Sequence, residues 1–284
     1  MRAATEIGPE VARSLPARSG AGAVVAVTQS GATGSALRLL ERAGAAGMLR
    51  VAVTNEAASP AAARADLALV TRAGPERAVP ATKSFTSALV ALRLLALAWA
   101  RAAGKLSPEA AATRVAACSA VPDLLRAGLQ NGRHAARFVA RVRCEGPWFF
   151  LGAGPLLPLA REAALKMMET AVVPALAIPA GELAHGPRAL LGPGTPVVLL
   201  GAGAAAGRGV TRSLRAAREA DAAVLQLLPE DAPDGRHTIR LPGRPGALAF
   251  SMAPPLQWLA LAAGLRLGRA VDRPPGLQKS VRDD

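Results

Sequence analysis

Residues 23–44, AVVAVTQSGATGSALRLLERAG, decide the fold of the front half of the chain. They begin as a short apolar run typical of a buried strand, pass through a loop of small polar residues, and continue with apolar residues at helical spacing. In open α/β sheets, ligands bind where the carboxyl end of a strand meets the amino end of the next helix. The free N–H groups and the positive dipole end of that helix favour an anion. The pattern therefore predicts a phosphate-binding loop, and an ordinary N-cap formed by Ser30 or Thr33 is the alternative.

The loop chemistry supports the phosphate interpretation. The hydroxyls of Thr28, Ser30 and Thr33 can donate to phosphate oxygens, while Gly31 lets the backbone come close. The chain contains no G-x-x-x-x-G-K-[ST] sequence, which argues against a P-loop for a nucleoside triphosphate. The glycines of GAGPLLPLAREAALK (152–166) lack the spacing of a dinucleotide fingerprint, which argues against NAD. We therefore predict no cofactor and no metal ligands.

Composition excludes several classes of protein. With 284 residues, 51% of them hydrophobic, the chain is long and apolar enough for two domains. The formal net charge of +14 comes from arginines that are scattered singly, without basic runs or interleaved aromatic residues. We therefore predict that the chain does not bind nucleic acid, and that its basic surface attracts anionic metabolites.

Two further features concern the cellular setting. Cys118 and Cys144 form no CxxC motif, and the first residues lack the apolar core of a signal peptide, so a reduced cytoplasmic setting is predicted. The longest apolar run, ALVALRLLALAWA (88–100), is short and contains Arg93. It is predicted to be a core helix, and no membrane contact is expected.

Alternating strands and helices predict an α/β fold with parallel sheets covered on both faces. Buried strands are predicted at 23–28, 49–54, 67–71, 147–152, 171–178, 196–201 and 223–228. Helices are predicted at 33–46, 58–65, 82–103, 108–129, 155–170, 207–220 and 251–268, with a turn at QNGRH (130–134). Because the pattern occurs twice, we predict two three-layer αβα domains, 1–134 and 135–270, followed by a tail at 271–284.

A charged trio lies in the back half of the chain. Glu162, Lys166 and Glu169 stand at i, i+4 and i+7 and therefore share one helix face. A solvent-facing salt-bridge stripe is the alternative. The residues around the trio are apolar nearly all round, however, which indicates an enclosed helix whose charges need partners or a task. His185 lies in the loop AGELAHGP, between Gly and Pro, whereas His134 and His237 match no motif.

Five motifs together carry a family resemblance. TQSGAT (28–33) resembles the S-Q-S-G-E-T loop of sugar isomerase (SIS) domains. The resemblance continues in order through ERAVPATKSFTSAL (76–89), REAALKMMET (161–170), AGELAHGPRALL (180–191) and GLQKSV (276–281). These motifs are similar to the SIS double-domain family, which includes the isomerase half of glutamine–fructose-6-phosphate aminotransferase and the SIS-type glucosamine-6-phosphate deaminases. The resemblance implies two SIS-type αβα domains.

The resemblance also implies roles for individual residues. Glu169 corresponds to the base that moves a proton between C1 and C2 of the sugar, and Lys166 is close enough to stabilise the developing negative charge. His185 corresponds to the group that assists ring opening and reaches into the neighbouring subunit, which implies a homodimer with a shared active site. Lys279 corresponds to the lysine that forms a Schiff base with the keto sugar. Substrate contacts are implied for Thr28, Gln29, Ser30, Gly31, Thr33, Val79 and Gln278.

The sequence thus predicts an enzyme that isomerises, aminates or deaminates fructose-6-phosphate or glucosamine-6-phosphate. No glutaminase domain precedes the sugar domains, so the deaminating or isomerising direction is expected. A regulatory sugar-phosphate-binding protein or an inactive SIS protein is the alternative. Two departures from the family pattern stand out: the first domain is expected to lack its opening strand, and Ala32 stands where the loop usually carries glutamate.

Overall fold

The structure is a computed structural model that describes residues 22–201, 207–233, 237–244 and 246–279. The described residues pack into two units. The first contains residues 22–116 together with 278 and 279, and the second contains residues 117–277. Each unit is built on its own parallel sheet, which confirms the predicted α/β class.

The first unit is a three-stranded sheet with helices. Its strands are β1 (Ala23–Thr28), β2 (Leu49–Thr54) and β3 (Leu67–Val70), paired in parallel in the order β1-β2-β3. Its helices are α1 (Gly34–Ala45), α2 (Pro60–Arg64), α3 (Lys83–Ala102) and α4 (Pro108–Ala116). Small residues of β1 and β2, Ala26 and Ala52, pack with Leu40 of α1 and Ala61 of α2. This core fixes α1 directly behind the carboxyl end of β1, where the predicted phosphate loop lies.

The second unit has a five-stranded parallel sheet. Its strands are β4 (Trp148–Gly152), β5 (Ala175–Pro179), β6 (Pro196–Leu200), β7 (Ala223–Pro229) and β8 (Thr238–Leu241). Its helices are α5 (Val121–Gln130), α6 (Gly132–Val139), α7 (Leu157–Ala171), α8 (Arg208–Glu219) and α9 (Leu248–Arg266). Single 3-10 turns lie at Ala117–Ala120, Gly154–Leu156 and Gly186–Leu190.

The strand order of the second unit, β5-β4-β6-β7-β8, contains a topological switch point. From β4 the chain crosses to β5 on one side and then returns to β6 on the other side of β4. Loops that leave such a pair of strands in opposite directions open a crevice at their carboxyl ends. On the β4 side of this crevice, the chain continues from β4 into α7. On the β6 side, residues 202–206, which follow β6, lie outside the described residues.

The predicted strands and helices agree with the structure except at four elements. The strand predicted at 171–178 begins only at Ala175, because α7 continues to Ala171 and Val172 then takes a left-handed conformation with φ 56°. The helix predicted at 108–129 is interrupted by the 3-10 turn at Ala117–Ala120. β8 and α6 were not predicted, since β8 has four residues and α6 begins inside the segment taken as a turn.

The packing units differ from the predicted domain limits at 134/135 and 270/271. Helix α5 packs against α9 within the second unit, and a Cβ at Gly128 would lie 2.4 Å from the carbonyl oxygen of Ser251. Residues 278 and 279 belong to the first unit. The domain limits at 134/135 and 270/271 stay a prediction. The predicted lack of an opening strand concerns the start of the chain, and residues 1–21 lie outside the described residues.

The apolar run at 88–100 lies within helix α3, at the place where the sequence predicts a helix at 82–103. Helix α3 has 20 residues, about 30 Å of length, so the shortness of the apolar run does not exclude a membrane span. Its apolar window is 11% buried, and that of α9, the other described helix of comparable length and apolarity, is 67% buried. Length and composition alone do not separate such helices from core helices of soluble proteins.

Candidate active site

Backbone and hydroxyl groups hold the predicted phosphate loop in one shape. Thr28 at the end of β1 and Thr33 at the start of α1 join their hydroxyls at 3.0 Å. The N–H of Gly31 donates to Thr28 Oγ1 at 3.2 Å, and the N–H of Ala32 donates to Ser30 Oγ at 3.2 Å. The three hydroxyls named in the sequence motif are therefore brought together on one turn.

The loop is also anchored to its neighbours in the first unit. The carbonyl oxygen of Gln29 accepts from the N–H of Asn55 at 3.0 Å and from the Thr54 hydroxyl at 3.3 Å. The carbonyl oxygen of Gly31 accepts from the N–H of Ala61 at 2.9 Å. On the loop side, backbone carbonyl groups make these anchors, so none of them uses a loop hydroxyl.

The start of α1 is left open for an anion. Thr33 is the N-cap residue, but its side chain makes no capping hydrogen bond. The N–H groups of Gly34 and Ser35 have no hydrogen-bond partner within the described residues, and the first turn carries no acidic residue. The N-cap alternative is therefore wrong for Thr33, whose hydroxyl turns to Thr28. Such uncompensated N–H groups at a helix start bind phosphate oxygens well.

Gly31→Ala is expected to destabilise the protein by about 2–5 kcal/mol, because a left-handed residue and a steric clash coincide there. Gly31 has φ +64°, and a Cβ at this position would lie 2.1 Å from Ser59 Oγ. Urea denaturation measures the loss. Gly47→Ala is the matched control, since Gly47 has φ +70° and open space around its Cβ position. Equal losses for the two variants would contradict the clash with Ser59.

Glu76, which the sequence motif contains but to which no role was assigned, fixes the next loop. Its carboxylate accepts from the N–H and hydroxyl of Ser84 at 2.8 and 2.6 Å, and from the N–H and hydroxyl of Thr82 at 3.1 and 3.2 Å. Burial alone would raise the pKa of Glu76. The hydrogen bonds from Ser84 and Thr82 and the charge of Lys279 outweigh burial and hold this pKa below its ordinary value. An ionised Glu76 therefore closes the segment 76–84 into a rigid loop.

This loop receives Lys279 from the end of the described chain. The ammonium of Lys279 donates to the carbonyl oxygen of Ala78, the residue before Val79. The structure thus brings together the segments that carry two predicted site residues, Val79 and Lys279, within the first unit. Gln278 lies next to them and is exposed.

The charged trio on α7 is enclosed. Its Lys166 side chain is 6% exposed and bonds to the carboxylate of Glu169, whose side chain is 22% exposed. The Lys166 ammonium also lies 3.6 Å from the carboxylate of Glu162, whose side chain is 19% exposed. The solvent-facing stripe is therefore wrong, because the central cation is buried between two carboxylates.

Two close backbone approaches fix the position of α7. A Cβ at Gly152 would lie 2.3 Å from Leu157 Cα, so only glycine lets the helix begin so soon after β4. A Cβ at Gly264 of α9 would lie 2.7 Å from the carbonyl oxygen of Thr170. The helix that carries the trio is thus held at its amino end by a strand turn and at its carboxyl end by another helix.

Glu162 holds a proton more tightly than an ordinary carboxyl group. Burial, reinforced by the charge of Glu169 and opposed by Lys166, raises its pKa to about 7. Near neutral pH the trio therefore exchanges a proton through Glu162, while Lys166 stays bonded to Glu169. The sequence placed Glu162 on this face without a role. The signal was its position one helical turn before Lys166 in an apolar helix.

Glu162→Gln is expected to reduce the decrease of the free energy of unfolding with rising pH. A carboxyl whose pKa is raised by folding binds its proton more tightly in the folded state, so stability falls as pH rises through the unfolded and then the folded pKa. With a folded pKa of about 7 against an ordinary 4.5, the wild type should lose about 3 kcal/mol over that window through Glu162. Urea denaturation across the window measures the slope for wild type, Glu162→Gln and the exposed control Glu56→Gln. A slope unchanged in Glu162→Gln would contradict the assignment.

His185 is not bonded to the trio. It directly precedes the 3-10 turn Gly186–Leu190 and is exposed, and its imidazole makes no hydrogen bond or ion pair with any residue that the structure describes. The structure therefore brings together Lys166 with Glu169 in the second unit, and Lys279 with the carbonyl of Ala78, the neighbour of Val79, in the first. In the described ranges, no three His, Cys, Asp or Glu side chains cluster in a way that could hold a metal ion.

Comparison with known proteins identifies relatives that match most of this chain. Residues 5–98 and 142–228 match the model of the SIS domain. A glutamine–fructose-6-phosphate aminotransferase [isomerizing] of Symbiobacterium thermophilum is 38% identical over 264 residues, which cover 90% of this chain and 43% of that protein. The corresponding protein of Bordetella parapertussis is 35% identical over 264 residues and is covered to the same extent of 43%. The chain thus spans less than half the length of these curated relatives.

Solved structures extend the comparison. The C-terminal domain of glucosamine-fructose-6-phosphate aminotransferase from Francisella tularensis is 25% identical with a TM-score of 0.80, over 89% of this chain and 73% of that one. A glucosamine-6-phosphate deaminase from Thermotoga maritima is 23% identical with a TM-score of 0.74, over 97% of this chain and 80% of that one. The second likeness concerns the fold.

Proposed function

The chain belongs to the SIS-domain family, and we propose that it is an enzyme acting on fructose-6-phosphate or glucosamine-6-phosphate. The match confirms the resemblance predicted from the five motifs. The observation that carries the proposal is the buried ammonium of Lys166 bonded to Glu169 on α7. A buried charge pair with a second carboxyl beside it is an expensive arrangement for stability alone, and it suits the movement of a proton.

The first unit would bind the phosphate. The N–H groups of Gly34 and Ser35, which have no partner among the described residues, lie with the hydroxyls of Ser30 and Thr33 at the start of α1. Phosphate bound there would fix the position of the open-chain hexose relative to Val79, Gln278 and Lys279 of the same unit. Positioning of this kind contributes much of the rate enhancement in reactions of small substrates.

Lys279 would form the covalent intermediate. In its neutral form, the amine attacks the C2 carbonyl of the open-chain ketose, and loss of one water leaves an imine. The bond to the Ala78 carbonyl holds the amine in place before the substrate arrives. Imine formation turns C1 into a stronger carbon acid, because electrons released by deprotonation spread into the C=N bond.

Glu169 would move the proton between C1 and C2. A carboxylate accepts the proton from one carbon and returns it to the other, and the neighbouring Lys166 ammonium stabilises the negative charge that develops on oxygen. In the deaminating direction, glucosamine-6-phosphate and water give fructose-6-phosphate and ammonia. His185, from a neighbouring copy in a homodimer, would transfer the proton that opens the ring. We place this reaction in the cytoplasm.

Incubation with glucosamine-6-phosphate tests the function. We expect equal amounts of ammonia and fructose-6-phosphate, and borohydride in the presence of fructose-6-phosphate should add the mass of the reduced sugar at Lys279. Lys279→Ala should abolish both signals, and Lys105→Ala, at an exposed lysine, should retain both. Tight binding of either sugar phosphate without ammonia release or trapping would contradict an enzyme and favour the regulatory alternative.

A further inference from the structure

A cavity of about 340 Å³ in the second unit lies outside the residues assigned to the sugar reaction. Helix α6 and the following residues supply one wall, and β7 with the start of β8 supplies the other. Its rim carries His134, Arg137 and Arg141 from the first wall and His237 from the second. We call this cavity with its four basic residues the cationic groove.

Among the described residues, the basic groups of the cationic groove have no acidic partner. No acidic side chain is among the described residues that line it. The side chains of His134, Arg137, Arg141 and His237 make no hydrogen bond or ion pair with another described residue. Basic groups that surround one concave surface without acidic partners concentrate anions there.

The floor and one buried hydroxyl indicate that more than a diffuse ion fits the groove. Phe138 and Ile239, which are 6% and 2% exposed, line the floor. The hydroxyl of Thr238 also lines the groove, is buried, and has no hydrogen-bond partner among the described residues. Buried hydroxyl groups nearly always have a partner, and a ligand oxygen in the groove would supply one.

The spacing of the basic residues sets the size of the ligand. His134, Arg137 and Arg141 stand at i, i+3 and i+7, so they follow one side of α6 and its continuation for about 10 Å. A single phosphate reaches one or two such groups, whereas a chain of phosphates reaches all of them. Guanidinium groups pair with phosphate oxygens through two parallel hydrogen bonds.

We propose that the cationic groove binds a small molecule with two or more linked phosphate groups, such as a nucleoside di- or triphosphate. Its phosphates lie between Arg137 and Arg141, an oxygen accepts from Thr238, and an apolar portion covers the floor at Phe138. The groove lies in the second unit, whereas the phosphate loop lies in the first, so the two sites are separate along the chain and in chemistry.

Calorimetric titration of the full chain with inorganic tripolyphosphate and with ATP tests the proposal. Replacing Arg137 and Arg141 by alanine should weaken binding of both probes by at least about 30-fold, as expected for the loss of two charge-assisted pairs. The control replaces Arg133 and Arg212, two exposed arginines outside the groove lining, and should change affinity less than about threefold. Thr238→Val should weaken binding by about three- to tenfold, because it removes only the hydroxyl.

Three results would overturn the proposal. Absence of binding to the wild type excludes the site. An equal loss in the two double arginine variants assigns the binding to the general positive charge of the surface. Loss of binding in Ser30→Ala, with binding kept in the Arg137 and Arg141 variant, moves the polyphosphate to the loop of the first unit.

Discussion

Glu169→Gln is expected to lower kcat for release of ammonia from glucosamine-6-phosphate by about 10²- to 10⁴-fold, the usual contribution of a positioned general base. Glutamine has the shape of glutamate and still accepts a hydrogen bond from Lys166, but it cannot take a proton from carbon. Substrate affinity should change little, because the proposed phosphate site lies in the first unit. Steady-state kinetics and equilibrium binding of fructose-6-phosphate measure the two effects separately.

A matched control for this substitution is Glu219→Gln. Glu219 pairs with Arg188 on the surface at 2.8 Å, so the same chemical change there should leave kcat within about twofold of the wild type. Exchange of the C1 or C2 proton of the substrate with solvent adds a direct measurement, since loss of the base should suppress it together with turnover. Normal proton exchange in Glu169→Gln would assign the base to another residue.

Lys166→Met is expected to destabilise the protein by about 3–5 kcal/mol above neutral pH, because it leaves two carboxylates beside each other without their buried cation. The pKa of Glu162 is about 7 even with Lys166 present, and it should rise further without that charge. A carboxyl with a raised pKa loses stability as pH rises, so the loss should be smaller under mildly acidic conditions, where Glu162 keeps its proton.

Urea denaturation of Lys166→Met in mildly acidic and mildly alkaline buffer measures this dependence. The double variant with Glu162→Gln should recover part of the stability at alkaline pH, since it removes one of the two unpaired charges. A double-mutant cycle of Lys166 and Glu162 gives their coupling free energy. Equal losses at both pH values and no recovery in the double variant would show that lost packing explains the effect instead of lost charge.

The fold was predictable where apolar runs were continuous. β4, with the sequence WFFLG, is fully buried, so its composition alone indicates a central parallel strand. β8 has four residues, TIRL, including the exposed Arg240, and a segment so short gives no strong period. Helix α6 was not predicted because Asn131 and Gly132 are typical turn residues. Tertiary packing of α6 against α9 overrides that local preference.

The site was predictable to the level of motifs. The spacing of Glu162, Lys166 and Glu169 showed one helix face, and the apolar surroundings indicated burial. The sequence could not show that Glu76 closes its loop, because the donors of Thr82 and Ser84 become neighbours only when α3 begins where it does. Nor could it show which carboxyl of the trio has the raised pKa, since that depends on burial in three dimensions.

The bond between Lys279 and Ala78 joins residues 201 positions apart, and residues 278 and 279 pack with the first unit although 117–277 intervene. During synthesis on the ribosome, the first unit therefore cannot bind Lys279 until residues 117–277 of the second unit have been translated. Closing so long a loop carries an entropic penalty that grows only slowly with length. The delay in forming the contact between Lys279 and Ala78 is therefore set mainly by translation time. A nascent chain that stalls or is cleaved before residue 279 would lack the proposed imine-forming lysine. The proposed activity can therefore begin only after translation has passed residue 279.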